Sequence, residues 1–243
     1  MRALLATTGR ILQQLSHDHR TIGLLLFVPT LLMTLLRYMY DNQPRQFDSI
    51  GPMLLVIFPL VTMFLVTSIA TLRERTGGTL ERLLTLPMSK GSFMLGYALA
   101  FGIMATLQSA VIGGVSFGLL GLEVAGPVWL VTGVTLLIAV LGVALGLLAS
   151  AFARSEFQAV QFMPAFVLPQ LLLCGLLVAR ENMVDWLRWV SDLLPMTYAV
   201  EAMKELSTHT GITETLNKDL LILGAWVIGA LLIASLTLRR RTK

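Results

Sequence analysis

The sequence predicts an all-α integral membrane protein with six transmembrane helices. Three observations carry that prediction. Hydrophobic residues make up 56% of the 243-residue chain and charged residues only 13%, about half the usual share in a soluble domain. Mean hydropathy is +0.78, more apolar surface than a soluble core of this size can hide, so lipid must solvate part of it. The charges also cluster, leaving charge-free runs at 21–36, 49–72, 91–122, 124–153, 157–179 and 220–238. A bilayer crossing needs about 20 apolar residues.

Residues 1–20 place Leu4, Leu5, Ile11, Leu12 and Leu15 near helical spacing among Arg2, Arg10, Gln13, Gln14 and Asp18. They predict an amphipathic helix on the cytoplasmic surface. The first span, 21–40, is extended by Tyr38 and Tyr40, which suit the interface, and by Arg37, which can snorkel outward. The polar lead before it and the absence of a small-residue cleavage site mark it as a retained helix rather than a signal peptide. The second span is expected at 50–72, the third at 93–121, the fourth at 128–152 after Pro127, the fifth at 157–179 and the sixth at 219–238. A basic tail, 239–243, closes the chain.

Ser155 with Gln158 three residues on is a capping-box pattern opening the fifth span, and Glu156 suits the positive end of that helix. Pro164 and Pro169 interrupt its backbone ladder. Gly114 with Gly118, and Gly142 with Gly146, have the spacing of close helix contacts. Cys174 is expected to be a buried packing thiol. Between 180 and 217, Trp186, Val190, Leu193 and Leu194 form a one-sided helix with Trp189 nearby, and 198–206 forms a second beyond Pro195. This pair either re-enters the outer leaflet without crossing it or caps the outer surface.

Six crossings put both termini on one side. That side carries Arg2, Arg10, Arg20, Arg73, Arg75, Arg82, Lys90, Arg154, Arg239, Arg240, Arg241 and Lys243; the other carries only Arg37, Arg45, Arg180, Arg188, Lys204 and Lys218. The positive-inside rule makes both termini cytoplasmic. The net charge of +4 and pI near 9.6 are then a topology signal, and no nucleic-acid partner is implied.

Residues 73–90 form the most informative loop. Gly77 and Gly78 permit a sharp turn, Thr79 or Thr76 can cap a short helix, and Pro87 ends it. Over 79–86, Leu80, Leu83 and Leu84 share one face, with Glu81 and Arg82 beside it. Such a helix fits a partner's groove or lies on membrane lipid.

Other chemistries lack their parts. Gly114-Val115-Ser116-Phe117-Gly118 fits G-x-S-x-G, but no histidine lies in any span to serve as base; His17, His19 and His209 are all outside. His17-Asp18-His19 flanks the first span with nothing near to complete a metal site. One cysteine excludes an internal disulfide. No G-x-x-x-x-G-K-[ST] occurs, so ATP cannot be held by a phosphate loop here. The span interiors offer only neutral polar groups: Gln108, Ser109, Thr132, Thr135, Gln161 and Gln170. A transported molecule would need outside energy, and amphipathic or lipid-like substrates fit better than a small ion.

The run from Arg73 through Thr76-Gly77-Gly78-Thr79-Leu80-Glu81-Arg82-Leu83-Leu84 to Pro87-Met88-Ser89, followed by Leu95-Gly96-Tyr97, resembles the loop after the second span of ABC-2-type transporter permeases. The daunorubicin-resistance branch of drug exporters is the nearest in kind. Ser155-Glu156-Phe157-Gln158, Leu172-Leu173-Cys174-Gly175 and Leu194-Pro195-Met196-Thr197-Tyr198 are similar too. Val178-Ala179-Arg180 departs from the pattern, where such permeases often carry proline. The resemblance implies a type V exporter-like permease in the plasma membrane. It pairs with a second copy or a sister permease and docks on a separate ABC ATP-binding subunit. Residues 79–86 would be the coupling helix, the N-terminal helix would lie against the same subunit, and spans one, two and five would line the pathway. ATP would be bound and hydrolysed by the partner, leaving this chain no cofactor and no catalytic residue. The expected cargo is an amphipathic drug or lipid-like molecule; a lipid-linked glycan, a membrane assembly role and an intramembrane serine hydrolase are the alternatives.

Overall fold

The structure is a computed structural model and describes residues 2–77 and 90–237. Among them are nine α-helices and no strand: α1 Arg2–His17, α2 His19–Met39, α3 Pro44–Thr76, α4 Lys90–Gly118, α5 Val128–Phe152, α6 Glu156–Leu173, α7 Asp185–Asp192, α8 Pro195–Thr208 and α9 Glu214–Thr237, with a 3₁₀ turn at Arg180–Asn182. Helix α2, α3, Leu95–Gly118 of α4, α5 and α9 are long and apolar enough to cross a membrane. Six such helices were expected. The fifth expected span falls on α6, which has only 18 residues and carries Gln158, Gln161 and Gln170.

Local chemistry sets several boundaries. Asp18 separates α1 from α2 and caps the latter, accepting from the Thr21 N–H at 3.1 Å and the Thr21 hydroxyl at 2.6 Å. Proline at the first position starts α3 and α8, where its missing N–H costs nothing. Ser155 caps α6 through the Gln158 N–H at 3.2 Å. The return bond of the expected capping box is displaced by one residue: Gln158 Oε1 accepts from the N–H of Arg154, not of Ser155. Helix α3, with 33 residues, is about 50 Å long. That exceeds the roughly 30 Å of bilayer hydrocarbon, so the helix is longer than an untilted crossing needs.

The centre is the α3–α5 pair. Residues of both dominate the main core, where Leu60 and Phe64 meet Ile138, Leu141 and Leu145. A Cβ on Gly142 would lie 2.6 Å from the Leu60 carbonyl oxygen, and one on Gly146 equally close to that of Phe64. Gly114 and Gly118 have the same spacing but no heavy atom within 4 Å of a built Cβ. Only the first pair is a seam within the chain. Gln108 ties three helices together, donating to the Leu25 carbonyl at 2.9 Å and to the Thr62 hydroxyl at 2.6 Å. A smaller core, with Ile11, Leu15, Leu25, Tyr97 and Phe101, joins α1, α2 and α4.

The segment after α6 differs from the sequence reading in its details. Helix continues only to Leu173 of the 157–179 segment. Gly175 then takes φ +83°, with the Lys204 ammonium donating to its carbonyl at 2.8 Å and Arg180 packed beside it. Arg180 pairs with Asp192 and, at 2.8 Å, with Glu201. Trp186 and Trp189 of α7 are exposed. Helix α8 instead buries Met196, Ala199, Val200, Met203 and Leu206 and belongs to the main core. Asp219 is buried in the second turn of α9, an acid not expected within packed structure. Cys174 is buried and free.

Candidate functional site

Six of the residues expected to dock a partner, Thr79, Leu80, Glu81, Arg82, Leu83 and Leu84, lie outside the described residues, as do Gly78 and Pro87. Gly77 ends α3. Its N–H donates to the Arg73 carbonyl at 2.8 Å, and its φ of −77° is open to any residue. The described structure therefore shows what holds the start of that loop.

Three successive side chains of the last α3 turns reach three different elements. Arg73 grips Glu156 at the start of α6, its Nε donating to Oε1 at 2.7 Å and its Nη2 to Oε2 at 3.0 Å. The Arg73 guanidinium holds the Glu156 carboxyl below its usual range. Both side chains are more than half exposed, so this fork contributes at most about 1 kcal/mol. Glu74 turns inward and is buried. It accepts from Gln14 Nε2 at 2.9 Å and from the Arg10 guanidinium at 3.4–3.5 Å. Arg10 Nη2 also donates to the Tyr97 hydroxyl at 2.9 Å, so the acid is joined through α1 to α4. Arg75 donates to the Ser150 carbonyl near the end of α5.

Helix α1 is positioned by backbone proximity as well as charge. The Thr8 hydroxyl donates to the Gly96 carbonyl at 3.2 Å, and a Cβ on Gly96 would meet the Thr7 side chain at 2.8 Å. Thr7, Thr8, Ile11 and Leu15 are buried, so the face expected to rest on lipid packs largely on α4. Leu5 is exposed.

Behind this network lies a cavity of about 540 Å³. Residues of α1, α2, α3 and α4 line this half-open cavity: Leu24, Leu25 and Val28 from α2, Val66, Ile69 and Ala70 from α3, Tyr97 and Phe101 from α4. Gln14, Asp18, Thr21, Arg73 and Glu74 make it polar at one end. The sequence pointed to the loop at 73–90 but not to this network. The acid at 74 reads as one more loop charge until Arg10 and Gln14, sixty residues away, are seen to converge on it. Ser116 is buried inside α4, on a continuous helix rather than the sharp elbow that a hydrolase nucleophile needs.

Comparison with known proteins gives this arrangement its setting. Residues 2–206 match the family model described as ABC-2 type transporter. The chain is 26% identical over 207 residues to ABC transporter G family member 20 of Dictyostelium discoideum, covering 84% of this chain and 28% of that protein. It is 27% identical over 155 residues to the "Probable multidrug ABC transporter permease YbhR" of Escherichia coli (strain K12), covering 64% of this chain and 42% of the relative. Linearmycin resistance permease protein LnrN of Bacillus subtilis (strain 168) is 24% identical over 152 residues, 62% of this chain and 39% of its own length. The chain thus spans less than half the length of each of these relatives. With a match over most of its length and several helices fit to cross a membrane, the chain is a multi-pass membrane protein that belongs to the ABC-2 type transporter family.

Proposed function

We propose that this chain is the membrane-spanning permease subunit of an ATP-driven exporter that moves amphipathic drugs or lipid-like small molecules out of the cell. The observation that carries the reading is the family match over residues 2–206; the multidrug and linearmycin-resistance names of two relatives support the cargo. In this reading α6 is the fifth of six crossings. Its 18 residues extend about 27 Å, close to the hydrocarbon thickness. Both termini are then cytoplasmic in a plasma membrane, and residues 79–86 form the coupling helix.

A separate ATP-binding subunit supplies the energy, and a second copy or a sister permease completes the pathway, lined by spans one, two and five. The last turn of α3 comes just before residues 79–86 in the sequence, and Arg73, Glu74 and Arg75 tie that turn to α6, α1 and α5. A push on the loop is thereby delivered to three elements together. The hydrolytic residues belong to the partner.

The test is purification of the tagged chain from its native membrane in mild detergent. An ATP-binding subunit should accompany the wild type and be lost from Leu83→Asp, which should still insert and fold. A chain that emerges alone, where comparably weak complexes survive, favours an assembly role instead.

A further inference from the structure

The cavity at the α1–α4 corner has a polar end of unequal charge. Two carboxylates, Asp18 and Glu74, line it together with one guanidinium, Arg73. That guanidinium is already engaged through two nitrogens by Glu156, which is not part of the wall. Arg10, the cation facing Glu74, is also outside the wall and holds the carboxylate through long contacts of 3.4–3.5 Å. Neutral Gln14 donates a short bond to Glu74 at 2.9 Å. Each Asp18 oxygen accepts one bond from Thr21 and keeps acceptor capacity to spare. An occupant therefore meets two acids: Asp18 with acceptor capacity to spare, and Glu74, which it would share with Arg10 and Gln14.

The rest of the cavity is apolar and aromatic. Leu25, Val28, Val66 and Ile69 form its sides. Tyr97 and Phe101 form a tilted ring pair with centroids 6.4 Å apart; both are almost wholly buried against their neighbours, so they bound the cavity without presenting an open ring face. The volume of about 540 Å³ lies within the roughly 300–1,000 Å³ of small-molecule sites.

We propose that this cavity binds amphipathic organic cations, with Glu74 as the principal counter-charge, Asp18 as the second, and the Leu24–Val66–Ile69 surface receiving the apolar body. The proposal names a substrate class for the exporter and rests on that reading for its purpose, but binding itself needs no ATPase. Arg10 is the resident cation that an incoming one displaces in part from Glu74. Occupancy would thus be felt at α1 and at the α3 turn leading to the coupling loop.

The test uses the full chain in nanodiscs of phosphatidylcholine. Binding of tetraphenylphosphonium is measured by equilibrium dialysis, with tetraphenylborate, an anion of the same shape, as the control for partitioning into lipid. The phosphonium should bind saturably and the borate should not. Glu74→Gln, which keeps size and polarity, should weaken binding about tenfold or more, the equivalent of at least one lost charge contact. Ala70→Phe, which fills the cavity, should weaken it at least as much; thermal melting of each variant checks that it is folded. Absence of saturable phosphonium binding, equal binding of the borate, or wild-type affinity in both folded variants would each overturn the proposal. Export and binding fail separately: saturable binding without ATP-driven transport sinks the exporter and leaves the site, whereas ATP-driven transport without phosphonium binding sinks the site alone.

Discussion

Two glycine pairs, four residues apart in each case, behave as opposites. Gly142 and Gly146 on α5 let the α3 backbone approach so closely that a Cβ at either place would lie 2.6 Å from a carbonyl oxygen. Gly114 and Gly118 on α4 face open space. The sequence signal is identical, so the spacing certifies only that a helix can be approached, not that it is. What decides is the neighbour. The α5 window is 72% buried, the highest share of any candidate span, while that of α4 is 44% buried. A central helix has partners on most sides, whereas a peripheral helix keeps a bare face.

The sharpest way to break that contrast is to put bulk into the closed seam. Gly146→Leu places a branched side chain against the Phe64 carbonyl and the Thr67 side chain, where neither backbone can yield without moving a helix. Overpacking of this kind costs about 3 kcal/mol or more. The variant should melt well below wild type in detergent or aggregate on size exclusion. Gly142→Ala is the milder form. Its single methyl meets the backbone at Leu60, which outweighs the roughly 1 kcal/mol that alanine gains over glycine in a helix. A net loss of about 1–2 kcal/mol is expected, read as a lower thermal midpoint; an unchanged midpoint would mean that α3 and α5 sit farther apart than described.

The contrast also marks how far the sequence could be read. Helices were legible wherever the signal is local: charge-free runs, the Ser155 cap, proline at the start of α8. Features made by distant residues were not. The early end of α6 depends on Arg180 and on Lys204, 29 residues beyond Gly175, and no window of sequence holds all three. The burial of α8 depends on the α3, α5 and α9 faces around it. Most plainly, Glu74 read as one more loop charge because its partners Arg10 and Gln14 lie some sixty residues earlier in the sequence. The loop at 73–90 was read as the most informative stretch, and its expected docking residues lie outside the described residues.

A local feature serves as the intermediate control. Asp18→Ala removes the α2 cap without touching either glycine pair and should cost about 1 kcal/mol. The hydroxyl and N–H of Thr21 hold the Asp18 carboxyl below its ordinary value of 3.8. Because the folded value is the lower one, the stabilisation is fully present above that ordinary value. It is lost as pH falls through the lowered one. The wild type and Asp18→Ala should therefore differ in thermal midpoint at neutral pH and converge in strong acid. A difference that persists at low pH would assign the effect to something other than the charged cap.

The smallest expected effect is the most informative for the open pair. Gly114→Ala and Gly118→Ala meet no heavy atom within 4 Å, and both positions are exposed. Alanine is the better helix former, so in the isolated chain each change should be neutral or raise stability by up to about 1 kcal/mol. The comparison sharpens when the same variants are measured in the assembled transporter. If the bare α4 face meets only lipid, the methyl groups should leave the assembly and its thermal midpoint unchanged. If a second permease packs there through the glycines, the same substitutions should lower the share of paired chains on size exclusion while the isolated chain melts as before. Stability of the single chain and integrity of the pair thus separate the two roles that one glycine spacing can play: a seam already closed within the fold, as on α5, or a face still bare on α4.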